Sequence, residues 1–467
     1  MTTHGHRTPP PSPDAGQGHG AAPEPGAGPA DGTAPPPPSA GGTPSPARPP
    51  ATPALTASPF ESDTFTSATF VTVGHGPLLA LGAVWLLTRA GMLLLLLRDS
   101  LGIGGVGREV SVLYQYWYGQ FAHGTFPVND VTWQYPPGAG LVIVSPAVLP
   151  WLSYFQAFVA LTLLADAVVT AALARADRRR VTHGAWIWVC GLPLLLHLPL
   201  ARYDVQVTAL AVLALLALTA RSATAHRFGG VMAGIGALVK VWPALALIGT
   251  PRGRTTRDAW VAAGVTAATL LATLALCFSN SFDFLRQQGS RGVQIESLGG
   301  TALALSQATG LWPGQVQYRY GAFEYVGPYV SSVGRIALLL TVLAFGWLLI
   351  WRLRAVRWTA ATPLDAALAA VLLFTVTSRV ISPQYMIWLL GLAAVCLTSR
   401  ATVMRPVALL LLPAAALSSL AYPILYQDLL TGSWPGVAVV AVRNATLLAA
   451  ALLAARRLWT STVADPS

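Results

Sequence analysis

The chain has 467 residues, of which 54% are hydrophobic and only 10% are charged. Soluble domains carry roughly 25% charged residues, so this composition excludes an ordinary water-soluble globular protein. The net charge is +11, but the arginines form short clusters between apolar segments, which indicates membrane topology and not a nucleic-acid partner. The three cysteines lie in or at the end of apolar segments without metal-ligand spacing, so we expect neither a disulfide framework nor a metal site.

The N-terminal part is rich in Pro, Gly, Ala and Thr, and we predict that residues 1–75 are a disordered cytoplasmic tail with a polar lead-in. From Gly76 onward, apolar runs of about 20 residues recur, and each can cross a hydrocarbon core of about 30 Å as a helix. The predicted segments are 77–97, 153–174, 184–200, 205–221, 228–239 with 241–250, 259–277, 331–352, 363–377, 383–398, 405–421 and 436–455. The chain is therefore predicted to be an all-α, polytopic protein of about 10–13 helices, with a membrane domain at 76–457 and a tail at 458–467.

Arginine clusters set the predicted orientation, since short basic loops remain on the cytoplasmic side. These clusters fall within 175–180, 221–227, 252–257, 352–357, 400–405 and 456–457. Both termini are then cytoplasmic in a plasma-membrane protein, and the loops 98–137, 198–204, 279–330, 378–383 and 422–435 lie outside. Residues 228–250 must form a hairpin with Lys240 to Pro243 at its outer tip. The apolar piece 138–150 is too short to span and is predicted to be interfacial or re-entrant.

Charged and aromatic residues gather at the predicted outer boundary. Lys240 is the only lysine among the 29 basic residues, and an ionisable group at membrane depth is a candidate functional residue, although a bias towards arginine also explains it. In the first outer loop, Glu109 offers a carboxylate that can act as a base, and Tyr114 and Tyr135 offer ring faces. Such rings are equally typical of interfacial anchors. The other charged groups at this boundary are Arg202, Asp204, Arg291, Glu296 and Arg379. The arginines can bind a lipid phosphate and the carboxylates can take the proton of a sugar hydroxyl, although pairing of surface charges at helix ends equally explains most of them.

Seven short motifs, in this order, resemble the bacterial glycosyltransferases of family 87. They are Glu109 to Val112 with YPPG at 135–138, Arg202-Tyr203-Asp204, Gly234 to Pro243, Arg291 to Ser297, Ser382-Pro383-Gln384-Tyr385 with Trp388, Tyr422-Pro423 with Tyr426, and Arg443-Asn444. The resemblance covers about residues 76–455. It implies the C-type glycosyltransferase architecture with large outer loops, and a hexose, with mannose preferred, or a pentose donated from a polyprenyl phosphate.

The resemblance also implies roles for individual residues. It makes Glu109 the general base, although the family usually has Asp at this place; Asp130 and Asp204 are the alternative carboxylates. The donor phosphate would be bound by Lys240, Arg202, Asp204, Arg379 and Gln384. The sugar and acceptor would be bound by Tyr114, Tyr135, Arg291, Gln294 and Glu296. The implied reaction is a single inverting displacement without metal, nucleotide or other cofactor.

Two other functions fit the same features. A transporter or flippase of lipid-linked saccharide also needs a polar cavity with isolated charges, but its site is expected near the midplane between repeated halves. A ligase that moves a whole oligosaccharide would use similar cations and differs only in substrate. The expected partners are a polyprenyl-phosphate-linked sugar, a glycolipid or glycan acceptor and membrane lipid.

Overall fold

The computed structural model describes residues 76–176, 183–285 and 291–463. The predicted tail at 1–75, the basic positions Arg178 to Arg180 and the last four residues of the predicted C-terminal tail lie outside the described residues.

The described chain is built almost entirely from helices, as the apolar runs predict. The α-helices are α1 Gly76–Arg98, α2 Gln115–Ala122, α3 Ala139–Val144, α4 Tyr154–Ala176, α5 His183–Gly191, α6 Asp204–Leu218, α7 Ala223–Val239, α8 Arg254–Cys277, α9 Leu298–Ala308, α10 Val330–Arg354, α11 Thr362–Thr377, α12 Tyr385–Cys396, α13 Arg405–Ser419, α14 Tyr426–Thr431 and α15 Trp434–Thr462. Short 3-10 turns occur at Ser145–Val148, Leu192–Leu195, Leu198–Ala201 and Trp242–Leu247, and π-helical turns at Glu109–Tyr114 and Leu420–Ile424.

Six of the described helices are long and apolar enough to cross a membrane, namely α1, α4, α8, α10, α15 and α13 with its continuation to Ile424. Shorter apolar helices, among them α6, α11 and α12, pack between them and are largely buried. The long helices α1, α8 and α10 instead expose most of their apolar side chains, which is the pattern of lipid-facing helices. The predicted all-α, multi-pass fold class is confirmed.

One small sheet departs from the all-helical expectation. Strands β1 Val293–Gln294, β2 Gln315–Arg319 and β3 Ala322–Val326 lie antiparallel in the order β1-β3-β2. Strands β2 and β3 form a hairpin around Tyr320 and Gly321, and both residues have positive φ, at 53° and 75°. Two consecutive positive φ angles give the tight turn that matches the twist of paired strands. The sheet therefore orders residues 293–326 of the loop that is predicted to lie outside.

Helix α7 approaches α8 closely because it presents glycine where other helices present a side chain. A Cβ on Gly230 would lie 2.2 Å from the carbonyl oxygen of Ala259, and one on Gly234 would lie 2.6 Å from that of Ala263. Small residues permit such backbone contact between helices in a membrane. Close packing on α8 holds the end of α7, and hence Lys240, in a defined position.

The predicted break at the tip of the 228–250 hairpin is present. Helix α7 ends at Val239, the extended Lys240 donates its N–H to the Gly236 carbonyl, and the chain returns through the 3-10 turn Trp242–Leu247. The short piece α3 packs at this end of α7, where a Cβ on Gly138 would lie 2.6 Å from the carbonyl carbon of Leu238. The tip of the hairpin is thereby built into the protein.

Candidate active site

The ends of several helices meet at one end of the bundle and bring the predicted charges together. Glu109 opens the π-helical turn before α2, Asp204 opens α6, Lys240 follows α7, and Trp388 lies in the first turn of α12. These four elements are far apart in sequence but contact one another through side chains.

Glu109 is fixed by an ion pair but remains open to solvent. Its Oε2 lies 3.0 Å from Nη2 of Arg202, and the hydroxyl of Tyr114 donates to its Oε1 at 3.3 Å. The side chain of Glu109 is 25% exposed, whereas that of Arg202 is buried. A held carboxylate with one accessible edge is the geometry that a general base requires.

Arg202 is held by backbone carbonyls as well as by Glu109. Its Nη1 donates to the carbonyls of Ala201 at 2.7 Å and Val106 at 3.2 Å. Burial lowers the pKa of Arg202, but the Glu109 carboxylate more than offsets this, so the pKa lies above its usual value. Arg202 therefore keeps its charge beside Glu109.

The loop that presents Glu109 is organised by Asp99. The two carboxylate oxygens of Asp99 accept the backbone N–H groups of Val106 at 2.7 Å and Gly107 at 2.9 Å. His197 Nε2 lies 3.0 Å from the same carboxylate. Gly105 has φ +84°, and a Cβ there would lie 2.4 Å from Asp99 Oδ2, so only glycine fits this turn. Asp99 thus fixes the backbone two residues before Glu109.

Lys240 lies between one carboxylate and three aromatic rings. Its Nζ is 2.6 Å from Oδ1 of Asp204, and the same oxygen accepts the indole N–H of Trp388 at 2.5 Å. The ammonium lies 4.7 Å from the ring centre of Tyr203, 4.9 Å from Trp388 and 5.7 Å from Tyr135. Cation–π attraction and the ion pair both hold the ammonium here. Because the lysine is still 13% exposed, it can contact a ligand.

Arginine side chains gather at β1 and at the end of α11. Arg291 Nε lies 3.6 Å from Oε1 of Glu324, whose Oε2 accepts the Gly292 N–H at 2.9 Å. Burial and the neighbouring Arg291 both lower the pKa of Arg379, while Glu324 raises it. Arg291 and Arg379 therefore both interact with the carboxylate of Glu324. Together they carry more charge than this carboxylate, and the net positive charge favours binding of an anion.

Glu296 is a buried carboxyl next to this positive group. Gln294 donates to its Oε2 at 3.3 Å and to Ser382 Oγ at 3.4 Å, and Arg443 Nη2 lies 3.9 Å from its Oε1. Burial raises the pKa of Glu296 to about 7, although Arg443 lowers it. A raised pKa favours the protonated carboxyl, which can donate as well as accept hydrogen bonds.

Two tyrosines connect the two groups of charges. Tyr385 stacks on Trp388 at 3.9 Å and interacts electrostatically with Arg291, Asp204 and Glu296. Tyr422 interacts with Arg202, and also with Glu109 and Glu296. The surroundings of Glu109, of Lys240 and of Glu296 thus form one continuous polar region.

Most of the predicted site residues lie in this region. Those around Glu109 and Lys240 are Tyr114, Tyr135, Arg202 and Asp204, and those near the sheet are Arg291, Gln294, Glu296 and Arg379. Gln384 precedes α12 and is partly exposed one turn before Trp388.

Two expectations need correction in their physical detail. Tyr114 is only 1% exposed, because its ring packs among Trp117, Phe158 and Tyr203, so it offers a hydroxyl to Glu109 and no open face to a sugar. Asp130 is engaged elsewhere, since it accepts the indole N–H of Trp117 at 2.8 Å and the hydroxyl of Thr132 at 2.5 Å. Its carboxylate therefore stabilises the first outer loop.

The sequence prediction missed three aromatic members of the site. Tyr203, Tyr385 and Trp388 were not among the predicted site residues, yet Tyr203 and Trp388 form two of the faces around Lys240. Their position in the sequence could have indicated them, because each lies next to or near a charged or polar residue in the RYD and SPQYMIW motifs. In the part of the chain that the structure describes, no group of three or more His, Cys, Asp or Glu side chains is placed to hold a metal ion.

Residues 133–330 match the model of glycosyltransferase family 87, which confirms the predicted resemblance. The match contains Tyr135, Arg202, Asp204, Lys240 and the sheet, whereas Glu109 lies outside it. No curated protein matches the chain. Two solved structures resemble it, both of ArnT from Cupriavidus metallidurans, one apo and one bound to undecaprenyl phosphate. Each has a TM-score of 0.43 and 14% identity, and the alignments cover 82% and 83% of this chain and 78% of the other chain.

Proposed function

We propose that the chain is an integral membrane glycosyltransferase that moves a hexose, with mannose preferred, or a pentose from a polyprenyl phosphate to an acceptor hydroxyl on the outer face of the membrane. The observation that carries the proposal is the placement of Glu109, whose side chain is 25% exposed, in one polar region with Lys240 and Arg202. A base and fixed cations are the two requirements of a displacement that releases a phosphate. The match to family 87 supports the class of reaction.

In the proposed reaction the acceptor oxygen attacks the anomeric carbon of the donor. The new C–O bond forms as the bond between that carbon and the phosphate oxygen breaks, and the configuration is inverted. The acceptor proton passes to the Glu109 carboxylate, and the polyprenyl phosphate leaves with the electron pair of the broken bond. Lys240, Arg202 and Arg379 stabilise the charge that develops on the phosphate, because they are already fixed in place.

The remaining residues are proposed to orient the two substrates. Asp204 holds the Lys240 ammonium between the aromatic rings, and Gln384 lies at the same end of α12 as Trp388. Tyr135, Arg291, Gln294 and Glu296 line the acceptor side, where the neutral form of Glu296 is a hydrogen-bond donor.

The decisive test replaces Glu109. Purified protein is incubated with radiolabelled polyprenyl-phosphate sugars and a membrane extract, and labelled products are identified. Glu109→Gln removes the proton acceptor while preserving size, so we expect a loss of transfer of roughly 10²- to 10⁴-fold. Glu109→Asp should retain part of the activity, because it restores the residue that is usual in the family.

Asp428→Asn is the matched control, because it alters an acidic residue of α14 that binds Ser433 and lies outside the polar region. It should transfer at the wild-type rate. Full activity of Glu109→Gln in folded protein would remove Glu109 as the base. Movement of a lipid-linked saccharide across liposomes, with no labelled product from any donor, would favour a flippase instead.

A further inference from the structure

The hairpin of β2 and β3 has one apolar face, whose residues are buried or partly buried except for Tyr318. Val316 pairs with Tyr325 and Tyr318 pairs with Phe323, so all four side chains lie on the same face of the hairpin. Tyr325 is buried with Val293, Ile295 and Trp312, and Val316 and Phe323 pack against the same cluster. Tyr318 continues this face but is 62% exposed. Its ring therefore extends beyond the cluster.

The exposed ring belongs to a series of aromatic contacts. Tyr318 contacts the ring of Phe323 edge-on at 5.1 Å, Phe323 contacts Tyr426 at 5.8 Å, and Tyr426 contacts Tyr422 at 4.8 Å. Tyr422 in turn interacts with Arg202. These four rings form a continuous series of contacts from the edge of the polar region to Arg202, whose guanidinium pairs with Glu109.

The Tyr318 hydroxyl lies within electrostatic range of the proposed base. Burial, and then the carboxylates of Glu109 and Asp130, raise the pKa of Tyr318, whereas Arg108 lowers it. Glu109 and Tyr318 thus interact electrostatically although more than 200 positions separate them in the sequence.

The position of the ring is fixed by contacts of the hairpin with both sides. At the turn, the Tyr320 carbonyl accepts the amide of Gln134 at 3.2 Å, which ties the hairpin to the first outer loop. On the other strand, the Ile295 N–H donates to the Phe323 carbonyl at 3.2 Å. A ring held in this way costs little entropy when a ligand stacks on it.

We infer that Tyr318 is the stacking platform for the sugar ring of the acceptor, and that the β2–β3 hairpin forms the acceptor side of the site. This inference rests on the proposed transferase function and names the residue that selects the acceptor. The C–H groups of a pyranose are apolar and pack on an aromatic face, which leaves the hydroxyls at the ring edge free for Glu109. Lys240, one of the proposed donor cations, lies beside Asp204 and the Trp388 ring of α12.

The test separates the acceptor from the donor. The acceptor is the membrane-extract glycolipid fraction that the wild-type protein labels, and initial rates are measured while this fraction and the labelled donor are varied in turn. Tyr318→Ala should raise the acceptor KM roughly tenfold, which corresponds to about 1.4 kcal/mol, and leave the donor KM unchanged. Tyr318→Phe and Tyr318→Trp should restore the acceptor KM, since each keeps a ring face.

The matched control is Tyr116→Ala, which removes a tyrosine of α2 that is 54% exposed. It should leave both KM values unchanged. An unchanged acceptor KM in Tyr318→Ala, or an equal rise in the donor KM, would overturn the platform while leaving the transferase proposal in place. If the wild-type protein labels no glycolipid from any polyprenyl-phosphate sugar, the transferase proposal itself fails and this inference fails with it.

Discussion

Lys240 has its ammonium in contact with Asp204 and with three aromatic rings. The carboxylate pairs with the single positive charge of the ammonium, and the ring faces attract the same charge through cation–π contacts. The ammonium is thus held in place while part of it stays open to solvent, at the end of α7. Because the ammonium of Lys240 is already held in place, binding of an anion to it costs little conformational entropy.

Replacing Lys240 with Met tests whether this charge binds the donor. Met keeps the length and the contact with the rings but removes the ammonium, so donor binding should weaken about tenfold to a hundredfold. Lys240→Arg keeps the charge on a planar group that does not fit between the rings, and its donor affinity should be intermediate. Direct titration with polyprenyl phosphate measures both variants. Wild-type affinity in Lys240→Met would make Lys240 a structural partner of Asp204 alone.

The sequence identifies these charged residues but not their pairing. Lys240 stands out as the only lysine, and Asp204 as an acidic residue at the start of an apolar helix. Their contact joins positions 36 apart, and the indole of Trp388 reaches the same carboxylate from 184 positions away. Such contacts depend on how the helices pack, and neither apolar periodicity nor local motifs determine that packing.

At the scale of single helices, α1 is joined to α4 and α5 by a polar contact in the middle of the membrane domain. Arg89 donates to both oxygens of Asp166, at 2.7 Å and 2.9 Å, and to the Val189 carbonyl at 2.7 Å. The indole groups of Trp85 and Trp188 also donate to Asp166, each at 2.7 Å. Asp166 therefore accepts four hydrogen bonds, which is what an ionised carboxylate needs when it leaves water.

We expect Asp166→Leu to destabilise the protein more than Arg89→Met. The first change leaves a buried guanidinium and two indole N–H groups without their acceptor, at a cost of roughly 3–5 kcal/mol. The second leaves Asp166 with both indoles. The double variant should lose less stability than the sum of the two single variants, because no unpaired charge remains. Thermal unfolding in detergent measures all three, and additive losses would show that the pair is not coupled.

Helices and strands differ in how far the sequence predicts them. The predicted run 331–352 is observed as Val330–Arg354 and the run 77–97 as Gly76–Arg98, because a segment exposed to lipid must satisfy its own backbone as a helix. The hairpin of β2 and β3 was not predicted. It lies in an outer loop, and its turn is Tyr320-Gly321 instead of one of the usual hairpin pairs such as Asn-Gly.

At the scale of the whole membrane domain, the two ends of the bundle differ in charge. Glu109, Lys240 and the hairpin lie at one end, where the ends of α1, α7 and α11 meet the starts of α6 and α12. At the other end Arg252 donates to the carbonyl of Arg352 at 2.8 Å, and Arg352 donates to that of Ile248 at 2.7 Å. The arginine-rich end corresponds to the cytoplasmic side that the distribution of basic loops predicts.

This arrangement predicts which end a membrane-impermeant thiol reagent can reach in intact cells. In a variant whose three native cysteines are replaced by Ala, Val128→Cys places a thiol on an exposed position of the first outer loop, and Ser222→Cys places one between α6 and α7. Only Val128→Cys should react in intact cells, and both should react after the membrane is opened. Both substitutions are at exposed loop positions, so the difference reports sidedness and not burial. Reaction of Ser222→Cys alone in intact cells would place Glu109 and Lys240 on the cytoplasmic side. This result would overturn the proposal that sugar is transferred at the outer face of the membrane. The fold and the ion pairs described above would not be affected.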